Sequence, residues 1–233
     1  MIGIIGALAD EIKNIDSLLE NKRYAVYGGL EFTVGTLEGE ELVLGICGMG
    51  KVFSAIMAQV MISEFSPELI INVGAAGTLS DKLHIGDIAI GEKTLQHDMD
   101  NSPLGFRKGE IAEMKSVYFD CDENAVKLFC RCAEELGISH KTAVIATGDV
   151  FVNKSEIKER IRTEFGAEVA EMEGAAIGQV CTFRGVPYCV VRAISDEADN
   201  SAPDDFPSFL NNVIENATKL ITLFCKKRQE VSK

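Results

Sequence analysis

The chain has 233 residues, 46% of them hydrophobic and 25% charged, and a formal net charge of −13. Length and composition fit one soluble globular domain with a sizeable core. The acidic balance excludes a nucleic-acid partner, because the only basic run, Lys226-Lys227-Arg228, fits a solvated helix end that complements the dipole.

No stretch approaches the roughly 20 apolar residues needed to span a bilayer. "MIGIIGALADEI" is too short and too acidic for a signal peptide. Seven scattered cysteines lack a second pair at zinc spacing and read as reduced thiols, so the expected location is cytoplasmic.

In chain order, residues 2–7 ("IGIIGA") predict a short buried strand. Residues 10–20 space Ile12, Ile15, Leu18 and Leu19 at helical intervals. Residues 24–47 read as strands broken by Gly-Gly and Glu-Gly-Glu turns. An apolar helix is expected over 51–65, stopped before Pro67, then a buried strand over 69–77. Residues 98–118, with Pro103, Gly105 and Gly109, read as a long loop, and such loops in compact domains are usually functional.

Further on, a helix is expected at 122–136, a strand at 141–149, a helix at 154–164 and a strand at 167–173. A helix of small residues over 174–184, a strand over 188–194 and a helix near 206–226 complete the chain. This alternation predicts one α/β domain over 1–233, with a central mixed, twisted β-sheet flanked by helices.

In open α/β sheets ligands bind at the carboxyl ends of strands. The unusual residues gather at those expected ends: Ala7–Glu11, Gly48–Gly50, Gly74–Gly77, Gly148–Val152, Glu171–Glu173 and Arg192–Asp196. Together they imply a single small-molecule pocket.

Taken singly, each motif has two readings. Gly3-x-x-Gly6 lacks dinucleotide-binding spacing, and "GMGK" (48–51) lacks the lead of a phosphate loop. In "VGAAG", Gly74 and Gly77 allow close backbone approach to a ligand, with Ala75 and Ala76 keeping the space open; a tight strand-to-helix turn fits equally. Glu171 and Glu173 share a face if their strand continues, and a carboxylate can accept from both hydroxyls of a ribose. Glu173 could equally begin a helix and meet its dipole. Glu11 and Asp196 each fit either a helix-end role or proton chemistry. His97, Asp98 and Asp100 lack a second clustered ligand, so no metal is expected.

In this order, the clusters resemble the purine nucleoside phosphorylase/nucleosidase superfamily, and within it the 5′-methylthioadenosine/S-adenosylhomocysteine nucleosidases. The matching stretches are "IGIIGALADEI", "GMGKV", "INVGAAGTL", "IGDI", "HDMD", "TGDVFV", "EMEGAAIGQVC" and "VVRAISDEAD". They cover the chain from residue 2 to about 200, and the pairing of E-M-E with R-A-[IL]-S-D is the specific part.

The resemblance implies hydrolysis of an N-glycosidic bond with release of adenine, in methionine salvage and methyl-cycle detoxification, without metal or organic cofactor. By the same resemblance Asp196 protonates purine N7 and Glu11 activates the attacking water. Glu173 and Met172 hold the ribose, Phe151 stacks on the base and the Val152 backbone reads the adenine edge. Arg192 and Ser195 support the carboxylates and the water, while Met49 and Phe206 line the side nearer the ribose and 5′-substituent. Glu171 and the backbone segment Ala75, Ala76 and Gly77 complete the expected binding set. A homodimer is implied, with the 98–118 loop near the partner's pocket.

Two departures stand out. Ala75 replaces the family's serine, and "NSPLGFRKGEIAEMKSVY" (101–118) replaces an aromatic-rich loop, leaving Leu104 and Phe106 as substitutes. The competing readings are a phosphorolytic enzyme, a hydrolase of an aminodeoxyfutalosine-type nucleoside, and a non-catalytic nucleoside-binding protein. A phosphate site needs converging cations, and near the glycine loops only Lys51 is available.

Overall fold

The structure, a computed structural model, describes the backbone of residues 1–231 and the side chains of residues 1–205 and 214–230. The strands are β1 (Ile2–Gly6), β2 (Glu20–Tyr27), β3 (Leu30–Leu37), β4 (Glu40–Ile46), β5 (Leu69–Thr78), β6 (Ile88–Gln96), β7 (Tyr118–Asp120), β8 (His140–Thr147), β9 (Val169–Glu171) and β10 (Tyr188–Asp196). The helices are α1 (Ala9–Leu18), α2 (Lys51–Phe65), α3 (Glu123–Leu136), α4 (Ser155–Phe165), α5 (Gly174–Arg184) and α6 (Ala202–Val231).

All ten strands join one mixed sheet, as expected. β4, β1, β5 and β10 run parallel in that spatial order. β10 then pairs β6, β6 pairs β8, β8 pairs β9, and β9 returns antiparallel to β5, so this half of the sheet closes on itself. The β2–β3–β4 meander extends the other half.

Period-2 alternation builds a core on each face. Ile2 and Ile4 of β1, Ile71 and Val73 of β5, and Val191 and Ala193 of β10 pack with Leu220 and Phe224 of α6. The alternate residues Ile5, Ile70, Val190 and Ile194 face Met57 and Met61 of α2 and Ile177 of α5. Each fully buried Ile or Leu contributes roughly 1.5–3 kcal/mol, so both faces are strongly held. The sheet leaves its parallel strand ends, at Gly6, Thr78 and Asp196, open on one edge.

Several expectations shift. The strand expected over 167–173 is only Val169–Glu171, because Glu173 leaves extended geometry (φ −132°, ψ −39°) to cap α5. The final helix begins at Ala202 rather than near 206, with Pro203 tolerated in a first turn that needs no intrahelical N–H. Two strands, β6 and β7, were not expected. In β6, Gly91, Glu92 and Lys93 break the apolar alternation, and the register shifts there. No helix among the described residues is long and apolar enough to cross a membrane.

Candidate active site

A cleft of about 650 Å³ opens at the carboxyl ends of β1, β5, β9 and β10. Glu11, Glu171, Glu173 and Asp196 line it, all buried. Glu40 is the other buried carboxylate among the described residues, and it lies elsewhere. Burying a carboxylate without partners costs several kcal/mol, so the partners of these four define the site.

Glu11 stands in the first turn of α1. Its Oε2 accepts the N–H groups of Ala7 at 2.7 Å and Leu8 at 2.9 Å. Its Oε1 crosses to β5 and accepts the N–H of Ala75 at 3.0 Å. The helix-end reading of Glu11 is therefore real, yet one oxygen is directed at the strand that floors the cleft. Gly74 makes this approach possible, since a Cβ there would overlap Arg192 Nη1 and crowd Glu11 Oε1.

Asp196 is the last residue of β10. Its Oδ2 accepts from the Ser195 hydroxyl at 2.8 Å and its Oδ1 from the Ala198 N–H at 2.9 Å. Burial pushes the Asp196 carboxyl above its ordinary range; the two hydrogen bonds oppose this, and Asp205 and Asp199 add to it. A carboxyl raised in this way can hold a proton.

Glu171 and Glu173 do not share a strand face. Glu171 turns back into the protein, where Oε2 accepts from the N–H groups of Glu173 at 3.0 Å and Gly174 at 2.7 Å. Thr147 Oγ1 donates to Oε1, and Arg192 Nη2 pairs with Oε2. This saturated carboxylate is a support for Arg192 rather than a free ligand. Glu173 keeps more capacity. Its Oε1 accepts the Gly50 N–H at 2.9 Å, and its Oε2 lies 3.5 Å from Arg192 Nη2. Burial first, then the Glu171 carboxylate, pushes the Glu173 pKa up to about 7.

Arg192 is fully buried, and Asn72 of β5 fixes it from behind at 2.5 Å. Burial works against its charge, but the carboxylates of Glu171, Glu173 and Glu11 outweigh it.

Of the residues expected at the site, Met49, Ala75, Ala76, Gly77, Phe151, Val152 and Met172 also line the cleft, Met49 and Phe151 at its exposed rim. Arg192 and Ser195 sit behind the lining, each against a carboxylate. Phe206 lies outside the described side chains. Leu104 and Phe106 are exposed and are not among the described lining residues of the cleft. Ala7, Leu8 and Val150, which fall in the clusters expected at the strand ends, also line it, as do Ala170 and Ala198, which were not anticipated. Ala198 carries a positive φ of 51°, which nothing in its residue type announces. Among the described residues, no group of three or more His, Cys, Asp or Glu is placed to hold a metal ion.

Residues 1–226 match the family model of the phosphorylase superfamily. The chain belongs to this superfamily. It is 36% identical over 223 residues to the 5′-methylthioadenosine/S-adenosylhomocysteine nucleosidase of Aeromonas salmonicida, covering 94% of this chain and 96% of that protein. A 5′-methylthioadenosine/S-adenosylhomocysteine nucleosidase from Neisseria meningitidis, solved with methylthio-immucillin-A, superposes with a TM-score of 0.94 at 33% identity, covering 97% and 98% of the two chains. The futalosine hydrolase of Helicobacter pylori superposes with a TM-score of 0.93 at 34% identity, covering 97% of both chains.

For a member of the phosphorylase superfamily, the cations at the cleft separate reaction types. No Lys or Arg is among the described lining residues. Lys51, beside the glycine loop, is already paired to Asp98 at 2.7 Å and hydrogen-bonded to Gln96 at 3.1 Å. Arg192 gives its Nη2 to Glu171 and Asn72, and its Nε and Nη1 have no hydrogen-bond partner among the described residues, so one buried guanidinium behind the lining is the cation nearest the floor of the cleft.

Proposed function

We propose that this chain hydrolyses the N-glycosidic bond of 5′-methylthioadenosine and S-adenosylhomocysteine, releasing adenine and the 5-substituted ribose. The observation that carries this reading is a cleft with buried carboxylates from both sides of β5 and no cation among its described lining residues. A dianionic phosphate nucleophile needs several converging cations or N–H groups. Water needs a base.

In this reading Asp196, its carboxyl raised by burial, donates a proton to the purine leaving group. Ser195 orients it through Oδ2. Glu11 Oε1 accepts the proton of the attacking water, and Arg192 Nη1, which lies over Gly74 beside that oxygen, steadies the water. The backbones of β1 and β10 are separated by β5, roughly 10 Å at the usual strand spacing. Inverting glycosidases hold their two carboxyls about 6.5–9.5 Å apart to admit a water. Glu173 accepts from the ribose hydroxyls with Met172 beside it, Phe151 covers the base, and the Val152 backbone reads the adenine edge. Glu171 acts through Arg192, not on substrate.

A cytoplasmic homodimer belongs to the same proposal. All seven cysteines are free thiols. Met49, Val52, Phe53 and Ile56 expose an apolar patch at the start of α2, the kind of surface that a second copy would cover. In the dimer the 98–118 segment of one subunit would close the partner's 5′-pocket. Phe53→Glu should then yield monomers by sedimentation; a dimer that survived this change would contradict the assignment.

A second reading, hydrolysis of a futalosine-type nucleoside, is supported by the comparable likeness to the Helicobacter pylori enzyme. Adenine release from 5′-methylthioadenosine, S-adenosylhomocysteine, 5′-deoxyadenosine and an aminodeoxyfutalosine-type nucleoside, compared by kcat/KM, tests both. Preference for the last would replace the primary reading, and no release from any would overturn both.

A further inference from the structure

The "QHD" at the end of β6 has no part in the chemistry above, and its side chains do not line the cleft. It is nevertheless densely engaged. Asp98 Oδ2 accepts the N–H of Asp149 at 2.9 Å, and Asp98 Oδ1 pairs with Lys51 Nζ at 2.7 Å. Asp149 Oδ1 in turn accepts the N–H of Lys51 at 2.8 Å. Each of the three residues therefore touches the other two. Gln96 Oε1 takes a further hydrogen bond from Lys51 Nζ at 3.1 Å.

This triangle joins two walls of the cleft. On one side Lys51 follows Gly50, whose N–H donates to Glu173 Oε1 at 2.9 Å. On the other, Asp149 precedes Val150, Phe151 and Val152, which line the base side. The walls belong to different elements, the start of α2 and the β8–α4 connection, and the main chain does not link them locally.

His97 supports the same loop from beneath. Its ring is buried against Gly148, where a Cβ would overlap Nε2. Burial pushes the imidazole pKa down, with Arg160 and Lys51 adding to the effect against Asp98. For Asp98 burial acts upward, but Lys51 and the Asp149 N–H outweigh it and hold the carboxyl below its ordinary range. The pair is only about one-fifth exposed on each partner, so it is less screened than a surface ion pair.

We infer that Asp98, Lys51 and Asp149 are positioning residues that lock the ribose-side and base-side loops into one register, so that a nucleoside meets Glu173 and Phe151 together. The inference rests on the nucleosidase reading for its substrate, but not for its structural readout. A locked pair of walls lowers the ordering cost of binding without touching the reacting atoms. Its loss removes uniform binding, which raises KM and leaves kcat in place.

The test compares Asp98→Ala, Asp98→Asn and Lys51→Met with the wild type, by steady-state adenine release and by amide hydrogen exchange. Asp98→Ala is expected to raise KM for 5′-methylthioadenosine about tenfold or more with kcat within about threefold. Asp98→Asn, which keeps an acceptor for the Asp149 N–H but loses the ion pair, should fall between it and wild type. Lys51→Met should resemble Asp98→Asn. Exchange should quicken about tenfold in peptides covering 48–52 and 147–153, and stay unchanged in 69–78.

Wild-type KM together with unchanged exchange in both loops would overturn the inference. So would a collapse of kcat at unchanged KM. If Asp98→Ala does not fold, the two milder variants carry the same comparison. If the wild type releases no adenine, the nucleosidase reading fails while the exchange data still judge the clamp.

Discussion

Glu11 and Asp196 stand on opposite sides of one strand, β5. Glu11 Oε1 accepts the N–H of Ala75 at 3.0 Å, and Asp196 is the register partner of Gly77. Before its last residue, Thr78, the strand between them runs through Gly74, Ala75, Ala76 and Gly77, four positions that put no bulky side chain over the floor. An acid and a base facing each other across such a floor can work on the leaving group and on water at once.

Asp196→Asn keeps the shape and an acceptor for the Ala198 N–H but cannot supply the proton. It is expected to lower kcat by about 10²–10⁴-fold with little change in KM. Ser195→Ala should cost less, since it removes only the hydrogen bond to Oδ2. Steady-state adenine release from the two variants checks the ranking.

Glu11→Gln carries a double penalty. One amide oxygen replaces two carboxylate oxygens that together accept three N–H groups. At least one buried N–H is left facing an NH₂, a loss of about 1–3 kcal/mol. Thermal melting should show that destabilisation alongside the loss of turnover, whereas Asp196→Asn should melt closer to wild type.

Glu173 gives a pH signature. Its folded pKa is raised to about 7 by burial and by Glu171, so the folded state binds a proton that the unfolded chain has already released. Stability from this group is full below the ordinary carboxylate range and declines as pH rises toward 7, then levels off. Glu173→Gln removes the decline. The melting temperature of the variant minus that of wild type should therefore grow from pH 5 to pH 8. A difference constant with pH would contradict the assignment.

Gly74→Ala is expected to disable the site with only local structural change. The added Cβ would overlap Arg192 Nη1 and press on Glu11 Oε1, displacing together the two groups to which the proposed mechanism gives the water and its proton. Turnover should fall about 10²-fold or more, in line with the cost of a 1 Å misplacement. Binding of adenine, which contacts neither group in the proposed pose, should persist and can be followed by calorimetry.

Much of this fold was legible because burial on two faces leaves a simple trace. β1 and β5 are apolar runs that pass into glycine and alanine toward their carboxyl ends, and α2 spans 51–65 as its apolar pattern predicts. β6 was hidden because Gly91, Glu92 and Lys93 interrupt it at a register shift.

At the site, position marked Glu11 and Asp196 as strand-end residues, and both line the cleft, but position left their roles open and only the family resemblance implied proton chemistry. The role of Glu171 was not. Spacing alone suggested a shared face with Glu173, but the chain turns after Glu171, and its carboxylate is consumed by Thr147, Arg192 and two backbone N–H groups. Asp98 was equally hidden, since its partners lie 47 and 51 residues away in sequence.

The most direct measurement is the product of 5′-methylthioadenosine turnover with and without inorganic phosphate. The account predicts the same rate of adenine release in both, with free 5-methylthioribose as the other product. Adenine release that requires phosphate and yields a sugar 1-phosphate would contradict it.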